Sequence, residues 1–149
     1  MEIEIVEMCE NDLKEVLDIE NTSFLLPWTI DSFKYELNDN PYSNCLVIKA
    51  DKLILGFVVF WITFDSATLC QIAIDNKYRH LGFGKALMNE MIDICYSKRV
   101  TNVTLEVRKS NLSAINLYKK CGFENVTIKQ HYYDDGEDAI YMIRKVDII

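Results

Sequence analysis

A chain of 149 residues, half of them apolar, with a formal charge of −7 and a pI near 4.8 has room for one domain, residues 1–149, and enough apolar side chains for a real core. The acidic balance argues against a nucleic-acid binder, which shows a basic face to phosphates; it suits a cationic partner, or simply solubility. The longest apolar stretch, Leu53 to Phe64, is too short to span a bilayer, and the N-terminus has no basic-then-apolar signal pattern, so a cytoplasmic monomer with no membrane association is expected.

In chain order, Glu2 to Met8 alternates as an edge strand does. Asn11 or Asp12 can cap a helix carrying Leu13, Val16, Leu17 and Ile19, and a break follows from Asn21 to Trp28. Thr29 caps a second short helix with Ile30, Phe33 and Leu37, which stops at Asn38-Asp39-Asn40-Pro41. Strands Cys45 to Ala50 and Leu53 to Thr63 form a hairpin about Asp51-Lys52, and Ala67 to Ile74 is a third strand. Leu87, Met88, Met91, Ile92 and Cys95 make one apolar helical stripe within Phe83 to Tyr96. Val103, Leu105 and Val107 alternate with Thr104, Glu106 and Arg108, so Glu106 faces away from the aliphatic side of its strand. A helix with Ala114, Ile115, Leu117 and Tyr118 closes at Gly122, and two strands, about Asn125 to Gln130 and Asp138 to Val146, flank the turn Asp134-Asp135-Gly136. The sum is one mixed α/β domain without repeats or linkers.

Between the third strand and the long helix stands Arg79-His80-Leu81-Gly82-Phe83-Gly84-Lys85-Ala86. Two glycines at alternate positions allow a tight turn and close approach to a ligand, and the first N–H groups of the helix favour an anion such as pyrophosphate. A dinucleotide fingerprint wants a third glycine where Leu87 stands; a P-loop wants Ser or Thr where Ala86 stands. A glycine turn that merely caps the helix is the alternative. The five cysteines, Cys9, Cys45, Cys70, Cys95 and Cys121, are odd in number and mostly set in apolar patterns, so they read as reduced core residues. With no CxxC pair and with His80 and His131 far apart, no metal site is expected.

Arg79, Gly82 and Gly84 match the acyl-CoA signature of the GCN5-related N-acetyltransferase family, and the chain resembles that family again at Leu105-Glu106-Val107-Arg108-Lys109-Ser110-Asn111, Leu117-Tyr118 and Cys121-Gly122-Phe123. Asp18-Ile19-Glu20, Ser23-Phe24, Pro27-Trp28, Phe33, Tyr132-Tyr133 and Glu137-Asp138-Ala139 look like its RimI branch, which acetylates the N-terminal alanine of protein eighteen of the small ribosomal subunit. The resemblance implies a mixed, mostly antiparallel sheet of about seven strands flanked by about four helices. It also implies acetyl-CoA as the acetyl donor and a basic ribosomal-protein N-terminus as the acceptor. His80 and Leu81 depart from the usual pattern, where a small residue and then a polar or basic one stand.

Acetyl transfer needs a neutral amine, a polarised thioester carbonyl and a proton for the departing thiolate. The family match makes Glu106 the candidate base and Tyr118 the candidate acid; a surface glutamate paired with Arg108 or a nearby lysine, and a packed helix tyrosine, are the alternatives. The resemblance lays the cofactor along Ile72-Ala73-Ile74, across Arg79, His80, Leu81, Gly82, Phe83, Gly84 and Lys85, and against Asn111 and Tyr118. Asn111 can also cap its helix. Phe24, Trp28, Tyr132 and Tyr133 are expected to flank the acceptor channel, with Glu20 near the amine. Cys121 has no patterned activating partner, so direct transfer in a ternary complex is expected rather than an acetyl-cysteine. A transferase acting on lysine side chains, polyamines or other small amines is the rival enzyme, and a CoA-binding interaction module the rival without catalysis.

Overall fold

The computed structural model describes residues 2–146; Met1 and residues 147–149 of the expected domain lie outside the described residues. The elements in order are β1 (Ile3–Glu7), α1 (Leu13–Ser23), α2 (Ile30–Asn38), β2 (Ser43–Ala50), β3 (Leu53–Thr63), β4 (Ser66–Ile74), α3 (Phe83–Ser97), β5 (Asn102–Arg108), α4 (Leu112–Lys120), β6 (Glu124–Lys129) and β7 (Ala139–Lys145), with single 3-10 turns at Glu10–Asp12 and Asn76–Tyr78. They build a seven-stranded sheet in the order β1-β2-β3-β4-β5-β7-β6. Every pairing is antiparallel except β4 with β5, which are joined through α3.

The unbroken apolar run of β3 follows from its central place: Ile54 to Phe60 is buried on both faces. Phe57 and Val59 pack with Val16 of α1 and Phe33 of α2. Val58 and Phe60 pack on the other side with Leu87 and Met91 of α3 and Ile115 of α4. The positions expected to cap and turn the chain do so at Thr29, whose Oγ1 accepts the Ser32 N–H at 3.2 Å, and at Gly122, which adopts φ +91° past α4.

What positions the site is a defect in the sheet. β4 and β5 pair only from Ser66–Thr68 to Asn102–Thr104, and each strand then runs on without the other. Just past that point Cys70 is an extra residue on β4, since Phe60 opposes Leu69 and Val59 opposes Gln71. A bulge bends its strand and sharpens its twist. The gap that opens leaves the β5-facing edge of β4, up to Ile74, unpaired by β5.

Two expectations are corrected. Asp12 does not cap α1 with its side chain; its Oδ2 turns back to accept the Cys9 N–H at 2.9 Å, and Oδ1 meets Lys49 Nζ at 3.1 Å. Cys9, read as a core cysteine, is exposed because it precedes that turn at the surface. Burial pushes the Asp12 carboxyl up, but the Cys9 N–H and Lys49 outweigh it, and the group is held below its ordinary range. A depressed carboxyl stabilises the fold above its unfolded pKa, about 3.9, and that contribution is lost as pH falls through the folded value. Asp12→Asn is therefore expected to cost about 1–2 kcal/mol at pH 7, read as a melting-temperature loss of roughly 3–6 °C. The difference from wild type should close in strongly acidic buffer.

Candidate active site

The gap between β4 and β5 continues into a cleft of about 730 Å³, floored by Ile72, Ala73 and Ile74 and closed by the glycine loop on one side and α4 on the other. Gly82 is the N-cap residue of α3 at φ +88°, a left-handed conformation that costs other residues energy. His80 is also left-handed, at φ +64°. The first intrahelical bond is Ala86 N–H to Gly82 O at 3.0 Å, so the preceding N–H groups at the helix start are free of helical partners.

Gly84 does something different from what its spacing suggested. It lies inside α3, and a Cβ there would stand 3.2 Å from Leu117 Cδ2 and 3.8 Å from Ile74 Cγ1. Its smallness lets α3 pack closely on α4 and β4, and only Gly82 supplies the turn. Leu81, expected at the cofactor, points its side chain into solvent at 63% exposure and does not line the cleft; its main chain alone belongs to the loop.

Arg79, His80, Lys85 and Lys120 also line this cleft. A cationic rim on a chain of net charge −7, over a helix start with free N–H groups, fits a pyrophosphate-bearing ligand. Arg79 works twice: its Nε donates to Ile74 O at 3.1 Å and its Nη2 to Ser23 Oγ at 3.3 Å, fastening the end of α1 to the end of β4. Asn111 also combines its two expected roles, accepting the Ala114 N–H at 3.2 Å as the α4 cap while lining the cleft. Gly82→Ala meets no atom within 4 Å, so its effect is backbone strain alone. It is expected to weaken binding of a pyrophosphate-bearing ligand, with CoA as the probe, about fivefold by calorimetry. Gly136→Ala, equally open at φ +89°, should lose stability without that change in affinity.

Glu106 stands on β5 two residues past Thr104, the last residue paired with β4. Its Oε1 accepts from Lys129 Nζ at 2.7 Å, so the pairing with a neighbouring lysine is realised. Lys129 also lies 4.6 Å from the Tyr141 ring centroid and 5.4 Å from that of Tyr132. The hydrogen bond to Glu106, against a small opposing effect of burial, raises the Lys129 pKa and keeps it an ammonium.

Tyr132 and Tyr133 pack edge to face at 5.0 Å and flank this pair rather than the cleft. Arg108 fixes them: its guanidinium lies 4.1 Å from the Tyr133 ring centroid and its Nη1 meets Asp135 Oδ2 at 2.8 Å and Glu137 Oε1 at 2.9 Å. Bonds from Ser110 and Arg108 hold the Glu137 carboxyl at about 2. The turn between β6 and β7 is thereby tied to the end of β5. Burial raises Tyr133 to about 12; Arg108 opposes this, and Tyr132, Glu106 and Glu137 add to it.

Tyr118 lies on the cleft wall with its ring 6.0 Å from Phe123. Burial, reinforced by Tyr133 and Cys121, drives its phenol above the ordinary tyrosine value. Burial also raises the Cys121 thiol despite Lys85 and Arg144, which is the opposite of what an activated nucleophile needs.

The remaining acceptor-side residues separate. Phe24 lines the cleft. Glu20 is wholly buried, and its Oε2 accepts the Trp28 N–H at 2.8 Å; burial raises its pKa. Oε2 thus holds the loop, while Oε1, also buried, has no hydrogen-bond partner among the described residues. Trp28 lines a different hollow, with Trp61 and Glu36. Lys129, Lys120, Glu36 and Trp61 carried no local sequence signal, because their partners lie on other elements. Among the described residues no cluster of His, Cys, Asp and Glu could hold a metal.

The profile of the Acetyltransferase (GNAT) family matches residues 13–123, and the chain belongs to that family. It is an acyltransferase, and enzymes of the family use acetyl-CoA. It is 36% identical over 134 residues to the ribosomal protein bS18-alanine N-acetyltransferase of Escherichia coli K12, covering 88% of this chain and 89% of that one. It is 42% identical over 132 residues to a Bacillus subtilis protein assigned the same activity provisionally, covering 88% and 87%. The solved ribosomal-protein-S18-alanine N-acetyltransferase of E. coli superposes with TM-score 0.89 at 31% identity, covering 99% and 96%. Ard1 of Thermoplasma volcanium gives 0.91 at 30%, covering 97% and 98%. The seven strands and four helices are the fold of these neighbours.

Proposed function

We propose that this chain acetylates the α-amine of the N-terminal alanine of ribosomal protein bS18, taking the acetyl group from acetyl-CoA in a ternary complex. The observation that supports the reading is the parted β4/β5 pair: Glu106, which does not itself line the cleft, stands on β5 two residues past the parting, and the cleft runs along the free edge of β4 to the glycine loop. The names of the E. coli and B. subtilis relatives support the acceptor.

Acetyl-CoA supplies an activated acyl group as a thioester. The free edge of β4 offers main-chain groups to the pantetheine amides in the manner of an added strand, and an N–H there polarises the acetyl carbonyl. Glu106 removes the proton from the α-ammonium, directly or through one water. An α-ammonium has a pKa of about 8, some two units below a lysine, so a carboxylate suffices near neutral pH. The incoming ammonium takes the place of Lys129 beside Glu106, and the Tyr132 and Tyr141 rings receive the displaced lysine. Tyr118 donates a hydrogen bond to the departing sulfur, and the second proton that the nitrogen sheds as the amide forms passes to that thiolate, so CoA leaves as the thiol while Tyr118 keeps its own proton.

Initial rates with alanine-, serine- and methionine-starting peptides, measured beside an N-terminally blocked lysine peptide, test this. The alanine peptide should be the best substrate and the blocked one inert. Faster turnover of the blocked lysine peptide would replace the reading with a lysine acetyltransferase. An acetyl-enzyme trapped without acceptor would overturn direct transfer.

A further inference from the structure

On the acceptor side of the sheet, Trp28, Tyr35 and Trp61 wall a second hollow of about 440 Å³, with Asp31 and Glu36 among its lining. Glu36 is 5% exposed. Its Oε1 accepts from Trp61 Nε1–H and from the Ser43 hydroxyl at 3.2 Å, and its Oε2 accepts from Asn40 Nδ2 at 3.1 Å. All three donors are neutral, and Glu36 takes part in none of the ion pairs among the described residues. Its hydrogen bonds are met while its charge is not balanced. Trp61 spends its N–H edge on Glu36 and stays 37% exposed; Tyr35 is 53% exposed. Aromatic faces carry negative potential, and a buried carboxylate behind them with Asp31 beside them deepens it.

Among the described residues the hollow shares no lining residue with the cleft but is tied to it through α1 and β4. The Trp28 N–H is held by Glu20 of α1, and the end of α1, with Ser23 and Phe24, lines the cleft. Trp61 stands opposite Thr68, where β4 and β5 part. Glu106 lies two residues, about 7 Å of strand, past Thr104, and Trp61 lies two strand spacings, about 9–10 Å, across from β5. An extended peptide advances about 3.3–3.6 Å per residue, so a chain with its amine at Glu106 spans this roughly 12 Å by about its third to fifth residue.

We infer that this hollow is a specificity subsite for a cationic side chain, arginine or lysine, placed a few residues into the acceptor peptide. The inference rests on the peptide-acceptor reading above. The ammonium or guanidinium lies over the Trp61 and Trp28 faces and balances Glu36, with Asp31 as a second attraction.

Both tryptophans of the chain line the hollow, so intrinsic fluorescence reports on it directly. The test uses alanine-starting hexapeptides with arginine at position three, four or five, each matched to a citrulline peptide of the same shape. At one position or more, arginine should lower KM about tenfold and change the tryptophan emission where citrulline does not. In Trp61→Gln the ratio of the two KM values should fall towards one. Equal KM values and equal emission responses for all the matched pairs overturn the subsite, even if the α-amine is acetylated. Emission that tells arginine from citrulline while no peptide is acetylated keeps the subsite and defeats the acceptor reading.

Discussion

Glu106→Gln is expected to lower kcat with an alanine-starting peptide by about 10²–10³-fold at pH 7, within the usual contribution of a positioned base. The substitution keeps the shape of the side chain and a hydrogen-bond acceptor for Lys129, whose bond to Oε1 is 2.7 Å, but removes the carboxylate proposed to accept the substrate proton. At pH 7 only about a tenth of an α-amine of pKa near 8 is free, and at pH 9 most of it is. The deficit should therefore shrink by up to about tenfold between those pH values. Lys129→Met separates the base from its partner. It leaves the carboxylate in place and removes the ammonium that the substrate must displace, so it should retain turnover where Glu106→Gln does not. A Glu106→Gln enzyme within threefold of wild type at pH 7 would reduce Glu106 to one half of a surface ion pair.

Tyr118→Phe should cost roughly 10²-fold in kcat, the scale of losing one donor aimed at developing negative charge. The ring and its contact with Phe123 remain, so the melting temperature should hardly move. Burial and the neighbouring Tyr133 and Cys121 raise this phenol above its usual value. An acid with a raised pKa keeps its proton as pH rises, and kcat should show no fall attributable to Tyr118 up to about pH 10. A raised phenol is also a weaker acid than a thiol of pKa about 8.5. In the proposed mechanism Tyr118 therefore contributes a hydrogen bond to the sulfur as charge collects on it. An unchanged kcat in Tyr118→Phe would leave the residue a packing tyrosine.

Local chemistry was legible in the sequence wherever it acts over a few residues. Thr29 sits four residues before Phe33 and caps α2; Asp51-Lys52 turns the hairpin with Asp51 at φ +56°; Gly122 ends α4. The alternation through Val103 and Val107 put Glu106 on the side away from the aliphatic core. Asp12 misled because a capping residue type is also a good partner for a distant cation, and Lys49 lies 37 positions on, in β2. The tie between Lys129 and Glu106 spans 23 positions and that between Trp61 and Glu36 spans 25; each exists only once the sheet and helices assemble. Trp28 was placed near the acceptor by resemblance, and the register of β3 shows why it sits in a hollow of its own: Trp61 closes that space from the end of the strand.

Gly84 illustrates the same limit. Its spacing from Gly82 reads as a second loop glycine, yet its neighbour is Leu117 on α4, 33 residues away. Both glycines line the cleft, but they divide into one residue that shapes the turn before α3 and one that lets two helices and a strand meet.

The most direct measurement incubates the protein with acetyl-CoA and an alanine-starting basic peptide that also contains a lysine, then locates the new acetyl group by fragment mass spectrometry. The account predicts one acetyl group, on the α-amine of the alanine, appearing in step with released CoA. Acetyl found on the lysine side chain with the α-amine left free would contradict it.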